Sequence, residues 1–155
     1  MWILEATKYF VERGAAVNSI DEDGCTPLHS AALGGKLEVL RYLTETGGNI
    51  NIHDIQGVTA LHCAAFLGSV EIIKTLLDKG MSVNLTSTNG NTPLHVSANF
   101  GNLEALKTLV ERGAAVKSSN VDGYTPLRLA ALEGKLEIIR YLTEIGVDNN
   151  SCNVP

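Results

Sequence analysis

Three histidines, His29, His62 and His95, follow one another at intervals of 33 residues. Imidazoles ligate metals and move protons, so the triplet is the first place to look for chemistry. The regular spacing argues against it. Side chains at the same place in successive stacked units stand roughly 8–10 Å apart, too far to converge on one ion with bonds of about 2 Å. Cys25, Cys63 and Cys152 lack the C-x-x-C spacing of a zinc or redox site. Gly34-Gly35-Lys36 and Gly134-Lys135 lack the earlier glycine and the following Ser or Thr of a phosphate loop. No serine or cysteine has a base implied by spacing, and the carboxylates fall on outer faces or turns. These residues predict no catalytic centre, no metal, no cofactor and no small-molecule substrate.

The elements that must position these residues are written four times. TPLHSAA at 26–32 returns as TALHCAA, TPLHVSA and TPLRLAA, starting at Thr26, Thr59, Thr92 and Thr125, again 33 apart. A fixed period between 20 and 50 residues is the mark of a solenoid. Within one period, Asp21 to Gly24 carry turn chemistry. Thr26 then caps a helix and Pro27 occupies its first turn, where a missing N–H costs nothing. Leu28, Ala31 and Ala32 give that helix a small apolar face, and Gly34-Gly35 end it. A second helix over about 37–45 places Leu37, Leu40 and Leu43 on one face and the pair Glu38/Arg41 on the other. Glu5/Lys8, Glu71/Lys74, Glu104/Lys107 and Glu137/Arg140 repeat that outer ion pair, and Gly47, like Gly14, Gly80, Gly113 and Gly146, stops the helix.

This unit of turn, helix, helix and extended finger resembles the ankyrin repeat, with its 33-residue period and T-P-L-H-x-A signature. The resemblance implies an all-α repeat, an ankyrin-type solenoid of stacked helix-turn-helix units with β-hairpin fingers. It spans the whole chain, 1–155, as one domain: a partial unit at 1–20, full units at 21–53, 54–86, 87–119 and 120–152, and a frayed tail at 153–155. It also implies that Thr and His of the signature hydrogen-bond each other and nearby backbone at Thr26/His29, Thr59/His62 and Thr92/His95. Three departures stand out: Ala60 in place of proline, Arg128 in place of the fourth histidine, and Asn149 where Val17, Ile50, Val83 and Val116 anchor the other fingers. Asn149 predicts a loose last finger. The first unit opens in the register of a second helix, which makes Trp2 and Ile3 candidates for an exposed apolar end and for end-to-end self-association.

Composition narrows the partners. A formal charge of −5, from 12 basic and 17 acidic residues without a basic run, argues against nucleic acid. No apolar stretch approaches the ~20 residues that span a bilayer. An odd number of unpatterned cysteines suits a reducing, cytoplasmic location, or a cytoplasmic segment of a larger protein.

Function is therefore expected on the surface that the framework leaves free, which the resemblance places on the finger tips, the inner face and the end of each first helix. The tips carry Glu22, Asp23, Ile55, Gln56, Thr88, Asn89, Val121 and Asp122, followed after the glycine by Cys25, Val58, Asn91 and Tyr124. The first helices end in Leu33, Phe66, Leu67, Asn99, Phe100, Leu132 and Glu133. Phe66, Leu67, Phe100 and Tyr124 are expected to form an apolar stripe of the kind that anchors interfaces; the other reading packs both phenylalanines between helices as core. The expected function is noncatalytic binding of a protein or peptide on the concave face and finger tips. The alternative is a neutral or engineered scaffold or spacer cut from a longer array.

Overall fold

The computed structural model describes residues 2–147, with side chains from residue 4 onward. Among these residues the chain forms helices α1 (Trp2–Glu12), α2 (Pro27–Leu33), α3 (Leu37–Glu45), α4 (Ala60–Leu67), α5 (Val70–Asp78), α6 (Pro93–Phe100), α7 (Leu103–Glu111), α8 (Pro126–Leu132) and α9 (Leu136–Glu144). Two rows result. The short first helices stack in the order α2, α4, α6, α8, and the second helices run alongside as α1, α3, α5, α7, α9. The core lies between the rows and is lined by repeating positions: Leu28, Leu61, Leu94 and Leu127 from the first helices, Leu43, Leu76, Leu109 and Leu142 from the second, all buried. Ala32, Ala65 and Ala98 are fully buried as well, because a methyl side chain lets adjacent first helices approach closely.

The signature threonines cap as expected, each in extended backbone one residue before its helix. The backbone N–H of Thr26 donates to His29 Nδ1 at 3.1 Å, and the threonine hydroxyl lies 2.9 Å from the same nitrogen. Thr59/His62 and Thr92/His95 repeat both contacts. An N–H can only donate, so Nδ1 accepts and the proton sits on Nε2. That Nε2–H reaches across to the next unit's backbone carbonyl, Val58 from His29, Asn91 from His62 and Tyr124 from His95, at 2.9–3.0 Å. Arg128 breaks the pattern without leaving the helix uncapped. Its N–H still donates to Thr125 Oγ1, its guanidinium donates to the Gly123 carbonyl, and the same guanidinium lies over the Tyr124 ring at 5.0 Å.

The fingers differ from the expected β-hairpins. Among the described residues no strand forms, and the only β-type pairing is an isolated antiparallel bridge between His53 and Thr59. Each finger is a turn closed by two backbone bonds, such as Asp54 N–H to Val58 O with Gly57 N–H to Asp54 O, or Asn120 N–H to Tyr124 O with Gly123 N–H to Asn120 O. The Asp54 and Asn120 side chains accept the N–H groups inside the turn. With those donors satisfied locally, too few remain to build a ladder. Neighbouring fingers are joined by one backbone bond each, Ile55 N–H to Asp23 O, Thr88 N–H to Gln56 O and Val121 N–H to Asn89 O, and the Thr88 hydroxyl and the Asn120 amide add side-chain bonds to Gln56 O and Asn91 Oδ1.

Four of the five outer ion pairs close, Glu5/Lys8, Glu38/Arg41, Glu104/Lys107 and Glu137/Arg140, while Glu71 and Lys74 stay apart. Two exposed, freely rotating side chains gain too little in water to hold one geometry. An unforeseen pair, Arg112 to Asp78 at 2.7 Å, links consecutive second helices instead. The side chains of Trp2 and Ile3, Asn149 and the tail at 153–155 lie outside the described residues.

Candidate functional site

Between the fingers and the first helices of the two middle units lies a groove of about 390 Å³, walled by Leu33, Phe66, Val58, Val96 and Phe100. Its floor holds His62 and Cys63, and its finger-side rim is Gln56, Ser87, Asn89 and Asn91. No aspartate, glutamate, lysine or arginine lines it. The two phenylalanines meet edge to face, with ring centroids 4.5 Å apart and planes at 74°. They are 46% and 48% exposed, which rejects the reading of both as buried inter-helix core. They come from different positions, Phe66 from the last full turn of α4 and Phe100 from the final residue of α6. The repeat therefore does not require the pair, and it is particular to these two units.

Local structure fixes the pair. Gly68 and Gly101 end α4 and α6 in the left-handed conformation, stopping α4 two residues after Phe66 and α6 directly after Phe100. Asn102, at the start of α7, donates both amide hydrogens back to α4, to Ala65 O at 2.8 Å and Phe66 O at 2.7 Å. The end of α4 is thus tied to the following unit, and Phe66 is held against Phe100.

The other expected site residues divide into those that the groove gathers and those that it does not. Leu33, Gln56, Val58, Asn89 and Asn91 line it. A smaller cavity of about 150 Å³ continues past Phe100 to Asn99, with Asn91, His95, Val96, Asn120 and Leu129 around it. Leu67 leaves the expected stripe: its side chain turns toward Gly35, at the helix corner of the preceding unit, because it occupies a position one residue further around α4 than Phe66. Tyr124 is half-buried and engaged with Arg128, so it does not extend the stripe either. Ile55, Thr88 and Val121 stand exposed on the tips, with Glu22, Asp23 and Asp122 beside them. Leu132 and Glu133 are exposed at the end of α8, away from the groove. Cys25 does not line the groove; it faces a separate cleft beside α2.

Sequence reasoning missed the floor. Ser30, Cys63, Val96 and Leu129 hold one repeat position on successive first helices and vary freely there, while the leucine two residues before and the alanine two residues after stay constant. That variation was the available signal. Burial raises the Cys63 thiol to about 12, and burial, with Asp21 next, also raises Cys25. Both shifts favour the protonated thiol over the nucleophilic thiolate. Burial lowers His62 and His95 below the ordinary histidine value, against the opposing pull of the carbonyls they bond. Both stay neutral, as their tautomer requires. Among the described residues no cluster of histidine, cysteine or carboxylate side chains could hold a metal ion, and every buried side-chain polar atom has a partner.

A larger cleft, about 540 Å³, opens beside α2 and α3 on the side of α1. Its lining includes Thr7, Ser19, Asp21, Ser30 and Lys36 and presents no aromatic ring, so it offers less to an apolar anchor than the groove does.

The family model for ankyrin repeats in three copies matches residues 3–87 and 79–153. The chain belongs to the ankyrin repeat family. Ankyrin repeats are generally protein–protein interaction modules and typically noncatalytic. No curated protein matches the chain significantly. Among the described residues no helix is long and apolar enough to cross a membrane.

Proposed function

We propose that this ankyrin array binds a protein or peptide partner on its concave face, with the groove at Phe66 and Phe100 as the anchor site and the finger tips as its rim. The observation that carries this reading is the half-exposed aromatic pair itself. Two large rings in water are unfavourable by the apolar area they expose, the repeat does not need them, and aromatic side chains in pockets dominate interface energies. The array supplies rigidity. Each of the first three full units is bonded to the next through a histidine side chain and a finger, so the binding groups are ordered before the partner arrives and the cost of ordering them on association falls. The same reading keeps the protein in a reducing compartment, where Cys25 and Cys63 persist as the free thiols seen here.

The test is affinity capture with the wild-type chain beside F66A/F100A. The double variant loses the captured partner. Its melting temperature drops by only a few degrees, since a half-exposed pair contributes about 1–2 kcal/mol, whereas two core phenylalanines would each cost about 3–5 kcal/mol. Capture unchanged by the double substitution would refute the groove as the anchor.

A further inference from the structure

Resting on that reading, we infer that the partner presents an extended segment with a large uncharged apolar residue at its centre and a lysine or arginine about four residues to one side, lying over the first finger. The inference comes from one column of residues across the four fingers. Asp23, Gln56, Asn89 and Asp122 hold the same repeat position, and all four are exposed. The column reads acid, amide, amide, acid. Its neutral pair stands at the groove, and its charges stand at the ends.

The chemistry of each part follows. No charged side chain lines the groove, so a charged residue entering it would lose water and gain no counter-ion. An aliphatic or aromatic side chain meets the Phe66 edge and the Phe100 ring without that cost. Among the described residues the Gln56 and Asn89 carboxamides make no side-chain hydrogen bond, and each offers both a donor and an acceptor. Both rim the groove, where they can pair with the N–H and C=O of an extended backbone. They read the backbone, and the groove reads the side chain.

The ends supply the charge. At the first finger, the Glu22 and Asp23 carboxylates are exposed and have no ion pair among the described residues, while Asp21 is occupied by the Asp23 and Cys25 N–H groups. At the far end Asp122 has Val121 beside it in place of a second acid, and the Arg128 guanidinium adds a positive charge at the Gly123 carbonyl of the same finger. The attraction for a cation is therefore strongest at the first finger. The midpoint between Gln56 and Asn89 lies one and a half units from Asp23. At roughly 8–10 Å per stacked unit that is about 12–15 Å, which an extended peptide covers in about four residues.

The experiment selects a displayed library of random dodecapeptides on the full chain, with F66A/F100A as the counter-selection. The selected peptides are expected to share a large apolar residue, to lack Asp and Glu next to it, and to carry Lys or Arg about four positions away. A synthetic peptide of that pattern, followed by fluorescence anisotropy, should bind E22Q/D23N about three- to tenfold more weakly than wild type at low salt. The difference should shrink near 0.5 M salt, where screening is strong. Peptides that depend on Phe66 and Phe100 but carry no basic enrichment, or that bind E22Q/D23N unchanged, overturn this inference and leave the groove reading standing. A selection that never distinguishes wild type from F66A/F100A overturns both.

Discussion

At the scale of single residues, the signature histidines are structural pins, and their protonation state follows from who donates. His62 accepts the Thr59 N–H on Nδ1 and donates from Nε2 to Asn91 O. A second proton would occupy Nδ1 and break the acceptor side of the lock. Burial lowers the folded-state value of both His62 and His95, so the unfolded chain takes up protons first as the pH falls. Their contribution to stability is intact above about 6.5, the ordinary histidine value, and is lost progressively as the pH falls from there toward the lower folded values. Urea midpoints at pH 7.5 and pH 5.5 check the sign: the midpoint drops with acid, and H62Q/H95Q flattens the dependence across that window even though the variant is less stable at both ends. Cys63 reports on the same interior. With its thiol at about 12, it reacts with a disulfide reagent at pH 8 far more slowly than an unstructured cysteine does, and the rate rises with mild denaturant as the groove floor opens. Measurement in a C25S/C152S background isolates it; reaction at the free-thiol rate in native buffer would mean that the floor is not sealed.

At the scale of elements, the caps are where one residue changes a helix. Ala60 takes the first-turn position that proline holds in α2, α6 and α8. Thr59 before it is already extended, at φ −107° and ψ 169°, the conformation that a following proline demands. Proline there removes freedom from the unfolded chain without removing a helical hydrogen bond. A60P is therefore expected to stabilise the protein by about 0.4–1 kcal/mol, read as a rise of about 1–4 °C in melting temperature. A fall would mean that the ring collides with Leu28's neighbourhood on α2. The opposite end of α4 behaves differently. Gly68 sits at φ 83°, and a Cβ built there would lie 3.0 Å from Asn102 Cγ, whose amide holds the Ala65 and Phe66 carbonyls. G68A adds backbone strain and disturbs that clamp. It is expected to cost more than 1 kcal/mol, measurable by chemical denaturation.

At the scale of the whole molecule, stability is distributed along the stack. Each unit contacts only its neighbours, so the middle ones are supported on two sides and the outer ones on one. Leu61, Ile72, Ile73, Leu76, Leu94, Leu106 and Leu109, all in α4–α7, are fully sealed, whereas α9 buries only Ile138 and Leu142 and α1 exposes Tyr9 and Phe10. Phe10 shows the difference most plainly. It holds the repeat position of Leu43, Leu76, Leu109 and Leu142, each at most 1% exposed, yet is itself 62% exposed, because no first helix packs over it among the described residues. Hydrogen exchange should accordingly be slowest in α4–α7 and fastest in α1 and α9. Uniform protection from α1 to α9 would contradict nearest-neighbour coupling.

The sequence alone determined the repeat, the helix limits and the core. A 33-residue period with Thr-Pro at one helix start and glycine after each stop leaves the backbone few alternatives, since caps and turns act over three or four residues. That is why α3 was legible as 37–45 and why the Leu43 and Ala32 positions could be named as core. Tertiary structure alone decided the site. Phe66 and Phe100 are 34 residues apart, one more than the period, so whether their rings meet depends on how far one unit rotates against the next. No local rule encodes that rotation. It also turned Leu67 toward Gly35 and placed Cys63 on the floor. Local preferences choose elements; contacts between elements, set by the packing of side chains 30 or more residues apart, choose which faces remain open to a partner.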